Sequence, residues 1–313
     1  MALEMSTREA YGKTLLELGK ENENIVVLDA DLSRSTNTQV FAREFPERFF
    51  DCGIAEQNMV GIAAGLAASG KTVFASTFAV FASGRCYDQV RMSIAQPHQN
   101  VKIVASHSGI SVGEDGCSHH SIEDLALYCS FPGFTVIVPA DAIETAHAVR
   151  TAAATYGPFY IRLSRPKTPL VFNEDYRFVL GKAVTVRGGW DATVIACGLM
   201  VHRALLAADA LAKQGIELRV VNMSTIKPVD EEAIIRAANE TGAILCVEEH
   251  LQHGGLGSTV ARVVTKHQPV PMSFMAIKDY YSSSGKPNEL LEQHGLTSEG
   301  IEKEVRSLVS RKR

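Results

Sequence analysis

The stretch Phe49-Phe50-Asp51-Cys52-Gly53-Ile54-Ala55-Glu56-Gln57-Asn58-Met59 takes a short apolar strand through a glycine into a helix. That helix continues with the small residues Gly61, Ala64, Gly65 and Ala68. A strand that turns at glycine into a covering helix is the unit from which mostly parallel sheets are built. Glu56 falls in the first turn, where a carboxylate complements the helix dipole by about 0.3–1 kcal/mol. On its own that placement asks for no further role; its neighbours supply one.

Outward from this unit the same rhythm holds from Thr7 to about Arg165. Apolar strands Ile25-Val26-Val27-Leu28, Val101-Lys102-Ile103-Val104-Ala105 and Thr135-Val136-Ile137-Val138 are separated by longer amphipathic segments. Ser164-Arg165-Pro166-Lys167-Thr168-Pro169 and the polar residues through Tyr176 break both periods with two prolines and read as a linker. Beyond it the spacing predicts strand Ala192–Cys197, helix Val201–Gln214, strand Glu217–Val221, helix Glu231–Thr241, strand Ile244–Val247, and helices near Ser258–Lys266 and Ser298–Val309. The expected fold is α/β, with two doubly wound domains: residues 1–175 around a mostly parallel sheet and residues 176–313 as a smaller unit. A chain of 313 residues is long enough for two cores.

Composition narrows the class. A hydrophobic share of 46%, a charged share of 21% and a net charge of −4 match an ordinary soluble globular protein, without the charge excess of disorder or the basic footprint of a nucleic-acid binder. The most apolar run, Met59 to Gly84, is interrupted by Gly61, Gly65, Gly70 and Lys71 and reads as helix, turn and strand, not a membrane span. Glu4 and Arg8 stand where an export signal would need apolar residues, so a cytoplasmic location is expected. The six cysteines have neither C-x-x-C pairs nor metal-ligand spacing, which suits reduced thiols. Arg311-Lys312-Arg313 reads as a solvated tail.

Two further segments carry candidate chemistry. In Phe74-Ala75-Ser76-Thr77-Phe78-Ala79-Val80-Phe81, Phe74 is expected in the core. A flat heteroaromatic ring beside Phe78 and Phe81 would put Glu56 in a dry site, where desolvation lets a carboxyl share a proton with a ring nitrogen. The loop Ser106-His107-Ser108-Gly109-Ile110-Ser111-Val112-Gly113-Glu114-Asp115-Gly116-Cys117-Ser118-His119-His120 presents two acids and three histidines straight after an apolar strand. A purely structural loop rarely needs so many titratable groups. His107, Asp115, His119 and His120 are ligand types for zinc, but adjacent histidines lack the usual spacing and no metal is expected here.

These residues resemble the transketolase family of thiamine-diphosphate proteins. The resemblance rests on Gly53-Ile54-Ala55-Glu56-Gln57, Ser76-Thr77-Phe78 with Phe81, Gly113-Glu114-Asp115-Gly116 with His119, Leu163-Ser164-Arg165, and Glu248-Glu249-His250 with Gly254-Gly255-Leu256-Gly257. It covers nearly the whole chain, but only the pyrimidine-binding and C-terminal domains of a full-length enzyme. It implies that Glu56 hydrogen-bonds N1′ of the cofactor's aminopyrimidine as the proton relay, with Phe81 stacking on that ring, Phe78 lining the pocket and Asp31 approaching the cofactor. Arg8, Ser35, His107 and Arg165 match sugar-phosphate contacts. Asp115 matches an acceptor for a sugar hydroxyl, and His119, ahead of His107, the histidine that moves protons at the reacting carbons. Cys117-Ser118-His119-His120 departs from the family's usual Pro-Thr-His-Gln, which bears on the acceptor sugar.

The Gly-Asp-Gly and downstream asparagine that hold the cofactor's diphosphate and its Mg²⁺ or other divalent cation in this superfamily are missing; Gly113-Glu114-Asp115-Gly116 has a different order. The resemblance therefore implies a second polypeptide, an N-terminal diphosphate-binding subunit, in an α2β2 assembly performing ketol transfer between sugar phosphates in pentose phosphate metabolism. Gly254-Gly255-Leu256-Gly257 and Ser282-Ser283-Ser284-Gly285 read as tight turns before phosphate sites. Alternatives stay open: a deoxyxylulose-phosphate-synthase-like activity, which Tyr87-Asp88-Gln89-Val90 resembles, the beta subunit of a 2-oxo-acid dehydrogenase, and a non-catalytic regulatory subunit.

Overall fold

A computed structural model describes residues 4–312; Met1, Ala2, Leu3 and Arg313, on which part of the reading of the two ends rests, lie outside the described residues. Ser6 opens the first helix, Thr7–Glu21, with a capping box in which its hydroxyl accepts from the Glu9 amide and Glu9 answers. The strands Ile25–Asp29, Thr72–Phe78, Val101–Ser106 and Phe159–Arg162 then pair in parallel, with Phe49–Asp51 outside the first of them and Thr135–Ile137 outside the last. Ile25–Asp29, Val101–Ser106 and Phe159–Arg162 are buried throughout because helices cover both faces, so their sequences read as continuous apolar runs with no alternation. Phe74 is fully buried, as expected, in contact range of Tyr11 at a ring separation of 6.4 Å.

The second sheet has five strands: Ala192–Ala196 lies between Leu218–Asn222 and Ile244–Leu251, with Met272–Ile277 on one edge and the antiparallel Val184–Arg187 on the other. The expected elements fall on Ala192–Ala196, Met200–Ala212, Leu218–Asn222, Glu231–Thr241, Ile244–Leu251, Leu256–His267 and Ser298–Ser310. The fold is thus α/β with a mostly parallel seven-stranded sheet and a second five-stranded sheet. Among the described residues no helix is long and apolar enough to cross a membrane.

Two expectations change. The proline-containing stretch after Ser164 is not wholly a linker: Lys167–Pro169 forms a strand antiparallel to Glu4–Ser6. Such a short edge strand tolerates proline because its outer side bonds to nothing. The end of the chain is also tied back, as Arg311 Nη2 donates to Ser273 Oγ and Lys312 Nζ donates to the carbonyls of Trp190 and Asp191 at 3.3 and 3.1 Å.

The two sheets share more than covalent continuity. Thr225–Lys227, from the second half, pairs antiparallel with Thr135–Ile137 at the edge of the first sheet. Fully buried Glu144 accepts from Asn222 Nδ2 at 2.8 and 3.0 Å and from the Tyr176 hydroxyl at 2.6 Å. Arg162, paired with buried Asp124 at 2.7 Å, also donates to the Glu249 carbonyl at 3.0 Å. Buried polar contacts of this kind favour one arrangement, because breaking any of them leaves a desolvated group without that partner.

Candidate active site

Functional candidates emerge where parallel strands end, the edge at which open α/β sheets bind ligands. Glu56 follows Phe49–Asp51, Phe78 closes Thr72–Phe78, His107 follows Val101–Ser106 and Arg165 follows Phe159–Arg162. Gly53 makes the turn before Glu56 with φ of +69°, and its amide donates to Asp51 Oδ1 at 3.0 Å. Glu56 begins the helix Glu56–Ala68, only 2% exposed, and both its carboxylate oxygens accept from Arg85 Nη1, at 2.9 and 3.0 Å. Phe78 and Phe81 are stacked at 5.8 Å with 17° between their planes, and the Arg85 guanidinium lies 4.2 Å from the Phe81 ring centre.

His107 joins this aromatic group. It stacks on Phe78 at 3.8 Å, is 4% exposed, and shares a hydrogen bond between Nδ1 and Ser106 Oγ at 2.9 Å. Its φ of +58° is uncommon for a residue with a side chain, and strained backbone of this kind concentrates at functional sites. Burial, reinforced by the charges of Arg8, Arg165 and His119, pushes its pKa down to about 3, so the ring is neutral near pH 7. His119 presents its edge to Phe78 and Phe81 at 6.3 and 5.4 Å.

Between pH 6.5, the ordinary value, and about 3, the unfolded chain holds a proton on His107 that the folded chain does not. Stability conferred by the buried neutral ring is therefore present above pH 6.5 and is lost as pH falls toward 3, at up to about 1.4 kcal/mol per pH unit. His107→Asn, which tolerates the positive φ, is expected to flatten that acid limb in urea denaturation measured across the pH range.

Cations converge beside these rings. Arg8 Nη1 donates to the Ser35 carbonyl at 2.8 Å, while its Nε is buried without a hydrogen-bond partner. Burial and the nearby charge of Arg165 both lower the Arg8 pKa. Arg165 donates to the Val112 carbonyl and lies 3.5 Å from Glu114 and 3.9 Å from Asp115, so it is tied to the very loop that carries the acids. Two like charges and an unpartnered buried donor form an arrangement that an anion would relieve. Asp31 is placed differently from these groups: it stands exposed on a turn with φ of +62°, its amide donating to Asp51 Oδ1 at 3.0 Å.

Sequence reasoning passed over three residues here. Arg85 pairs with Glu56 and lies over the Phe81 ring, a contact that its spacing of four from Phe81 does not mark by itself. Asp29, fully buried at the end of its strand, accepts from the Leu32 amide and the Thr36 and Thr38 hydroxyls at 2.6–2.8 Å, which holds the turn carrying Ser35. Its burial pushes the carboxyl up to about 6. Ser284, from the second half of the chain, donates to the Glu114 carbonyl at 2.6 Å, and a Cβ at Gly113 would come within 3.0 Å of Pro287. His120 braces the same loop from inside, donating from Nε2 to the Gly113 carbonyl at 3.0 Å.

The glycines at 254–257 serve a turn. Glu248 accepts from the amides of Leu256 and Gly257 at 2.7 and 2.8 Å, so a carboxylate of the chain itself sits at that helix N-terminus. Among the described residues no cluster of three or more His, Cys, Asp or Glu side chains is placed to hold a metal ion.

Together these features define a two-sheet α/β protein with a mixed aromatic, acidic and cationic site along the carboxyl edge of its first sheet. Residues 4–171 match the transketolase pyrimidine-binding domain and residues 181–301 the transketolase C-terminal domain. The chain belongs to the transketolase family. It is 47% identical over 301 residues to a protein described as a putative transketolase C-terminal section from Methanocaldococcus jannaschii, covering 95% of this chain and 94% of that protein. Against human transketolase it is 42% identical over 311 residues, covering 98% of this chain but 49% of the relative, so it spans about half of such full-length proteins. A solved split gene transketolase, described as an inactive beta4 tetramer, superposes with a TM-score of 0.93 at 49% identity, covering 99% of this chain and 100% of the other.

Proposed function

We propose that this chain is the C-terminal subunit of a split, thiamine-diphosphate-dependent transketolase that moves a two-carbon ketol unit from a ketose phosphate to an aldose or aldose phosphate. The observation that carries the reading is the buried Glu56 carboxylate joined through Arg85 to the Phe81 ring face, on the same strand edge where His107 stacks on Phe78 with Arg8, Arg165 and His119 around it. A buried acid next to flat apolar faces fits an aminopyrimidine, which offers a ring nitrogen and an amino group on a planar ring. When bound, thiamine diphosphate supplies the electron sink for breaking and making the carbon–carbon bond.

The chain's own residues divide the remaining work. Glu56 holds a proton between its carboxyl and the pyrimidine nitrogen, in a dry pocket where that exchange is not diverted to water. Phe81 stacks on the ring and Phe78 fixes the side of the pocket. Arg8, with the Ser35 turn and Arg165, takes the sugar phosphate, the guanidinium planes suiting paired charge-assisted hydrogen bonds. His107, neutral at physiological pH, can accept or donate at a sugar hydroxyl without adding charge. Asp115 receives a sugar hydroxyl, and His119 moves protons at the hydroxyl or carbonyl of the reacting carbons.

We assign the diphosphate and its divalent cation to a separate N-terminal polypeptide, the two forming an α2β2 complex. That a similar solved split gene transketolase is described as an inactive beta4 tetramer supports the assignment. The test is donor specificity of the reconstituted complex: a phosphoketose with an aldose acceptor should give ketol transfer. Turnover of pyruvate with none of a phosphoketose would replace this reading with a synthase or 2-oxo-acid dehydrogenase activity. A Ser284→Ala complex should keep its cofactor affinity and raise the sugar KM about threefold to tenfold, since one loop hydrogen bond of about 1 kcal/mol is lost.

A further inference from the structure

Arg85 holds the position that the proposed ligand needs. Its guanidinium is planar and rich in N–H donors, lies against the face of Phe81 at 4.2 Å, and donates from Nη1 to both oxygens of Glu56 at 2.9 and 3.0 Å. An aminopyrimidine would take the same two places: its flat face against Phe81 and a ring nitrogen that shares a proton with the Glu56 carboxyl. The two occupants therefore overlap in chemistry and in place.

The local backbone explains how Arg85 gets there and how it can leave. Phe81–Arg85 forms a π-helical turn, a widened ring that recurs at functional sites, and its last residue bonds the Glu56 carboxylate while lying over the ring of its first. Gln57 Nε2 donates to the Arg85 carbonyl at 2.9 Å, which anchors its main chain to the Glu56 helix. The Arg85 side chain is 47% exposed whereas Glu56 is 2% exposed. One partner is fixed and dry, and the other is a long side chain with an open path to water, where a guanidinium loses little by leaving.

We infer that Arg85 is a resident stand-in for the aminopyrimidine, which keeps buried Glu56 paired in the unloaded chain and is exchanged for the ring when the cofactor site is completed. This inference rests on the functional reading above. Its energetic sense is that of a buried carboxyl group, costly when left alone and satisfied in turn by a planar guanidinium and by a planar ring whose nitrogen shares its proton. Cofactor and Arg85 compete for Glu56, so each unit of stability in the Arg85 pair is subtracted from cofactor affinity.

The test is calorimetric titration of thiamine diphosphate into the complex of both subunits, with wild type, R85Q and R85K compared. Removing the competing pair should lower the dissociation constant about threefold to tenfold in R85Q. R85K, which pairs with Glu56 but offers no flat face to Phe81, should fall between R85Q and wild type. A dissociation constant unchanged or raised in R85Q overturns the inference, as Arg85 would then be indifferent or would hold the bound ring. Should R85Q fail to assemble, an R85K affinity no tighter than wild type overturns it alone. A wild-type complex that binds no thiamine diphosphate refutes the functional reading instead, before any variant is compared.

Discussion

Replacing Glu56 by glutamine is expected to lower ketol transfer by the reconstituted complex by about 10²–10⁴-fold, the loss that accompanies removal of a positioned acid–base group. Glutamine keeps the size and still offers an oxygen to Arg85 Nη1, so the start of the helix Glu56–Ala68 should remain intact and thermal stability should change little. What glutamine lacks is a proton that can be shared with a ring nitrogen. The sugar KM should hardly move, because Arg8, Asp115 and His119 are untouched. Initial rates against donor concentration separate the two parameters, and a Glu56→Gln complex with a near-normal kcat would remove Glu56 from the chemistry.

Arg8→Ala is expected to raise the KM for a ketose phosphate about 10-fold to 100-fold while leaving an unphosphorylated ketose unaffected. Hydrogen bonds to charged groups contribute about 1.5–3 kcal/mol each, and Arg8 has a buried Nε with no protein acceptor to lose. Its positive charge lies near that of Arg165, so in the free chain it is held at some electrostatic cost that a phosphate would remove. Arg165→Ala tests the same idea less cleanly. That guanidinium also fastens Val112, Glu114 and Asp115, and its loss should disturb hydroxyl recognition along with phosphate binding.

The strands and helices of both sheets were legible because each is a local pattern: unbroken apolar runs for strands covered on both sides, and 3.6-residue periodicity for helices such as Glu231–Thr241. Pairing of Lys167–Pro169 with Glu4–Ser6 was not legible, since two short, proline-containing or polar segments become strands only by meeting across most of the first sheet's length. The site shows the same division. Glu56, Phe78, Phe81, His107 and His119 were singled out as candidates from segments in which unusual residues cluster, and the four rings among them lie together.

Arg85 and Ser284 resisted for physical reasons. An arginine four residues after a phenylalanine is ordinary on any exposed helix, and only the burial of Glu56 turns it into a partner. Ser284 lies 170 residues from the carbonyl it holds, and a serine between Ser283 and Gly285 carries no mark of that contact. Asp31 is a candidate through the resemblance alone and stands exposed, whereas Asp29 is the buried carboxylate at that strand end, whose ties to Thr36 and Thr38 depend on how the turn folds back.

Under the proposed function this chain contributes one half of a cofactor site and needs a second polypeptide to complete it. The direct measurement is the affinity for thiamine diphosphate, in the presence of a divalent cation, of this chain alone, of a diphosphate-binding partner alone, and of the two combined. Tight binding and ketol transfer are expected only for the combination, with Glu56→Gln lowering transfer in that complex by about 10²–10⁴-fold. Tight binding with turnover by this chain alone, or a stable complex whose ketol transfer does not depend on the cofactor, would contradict that expectation.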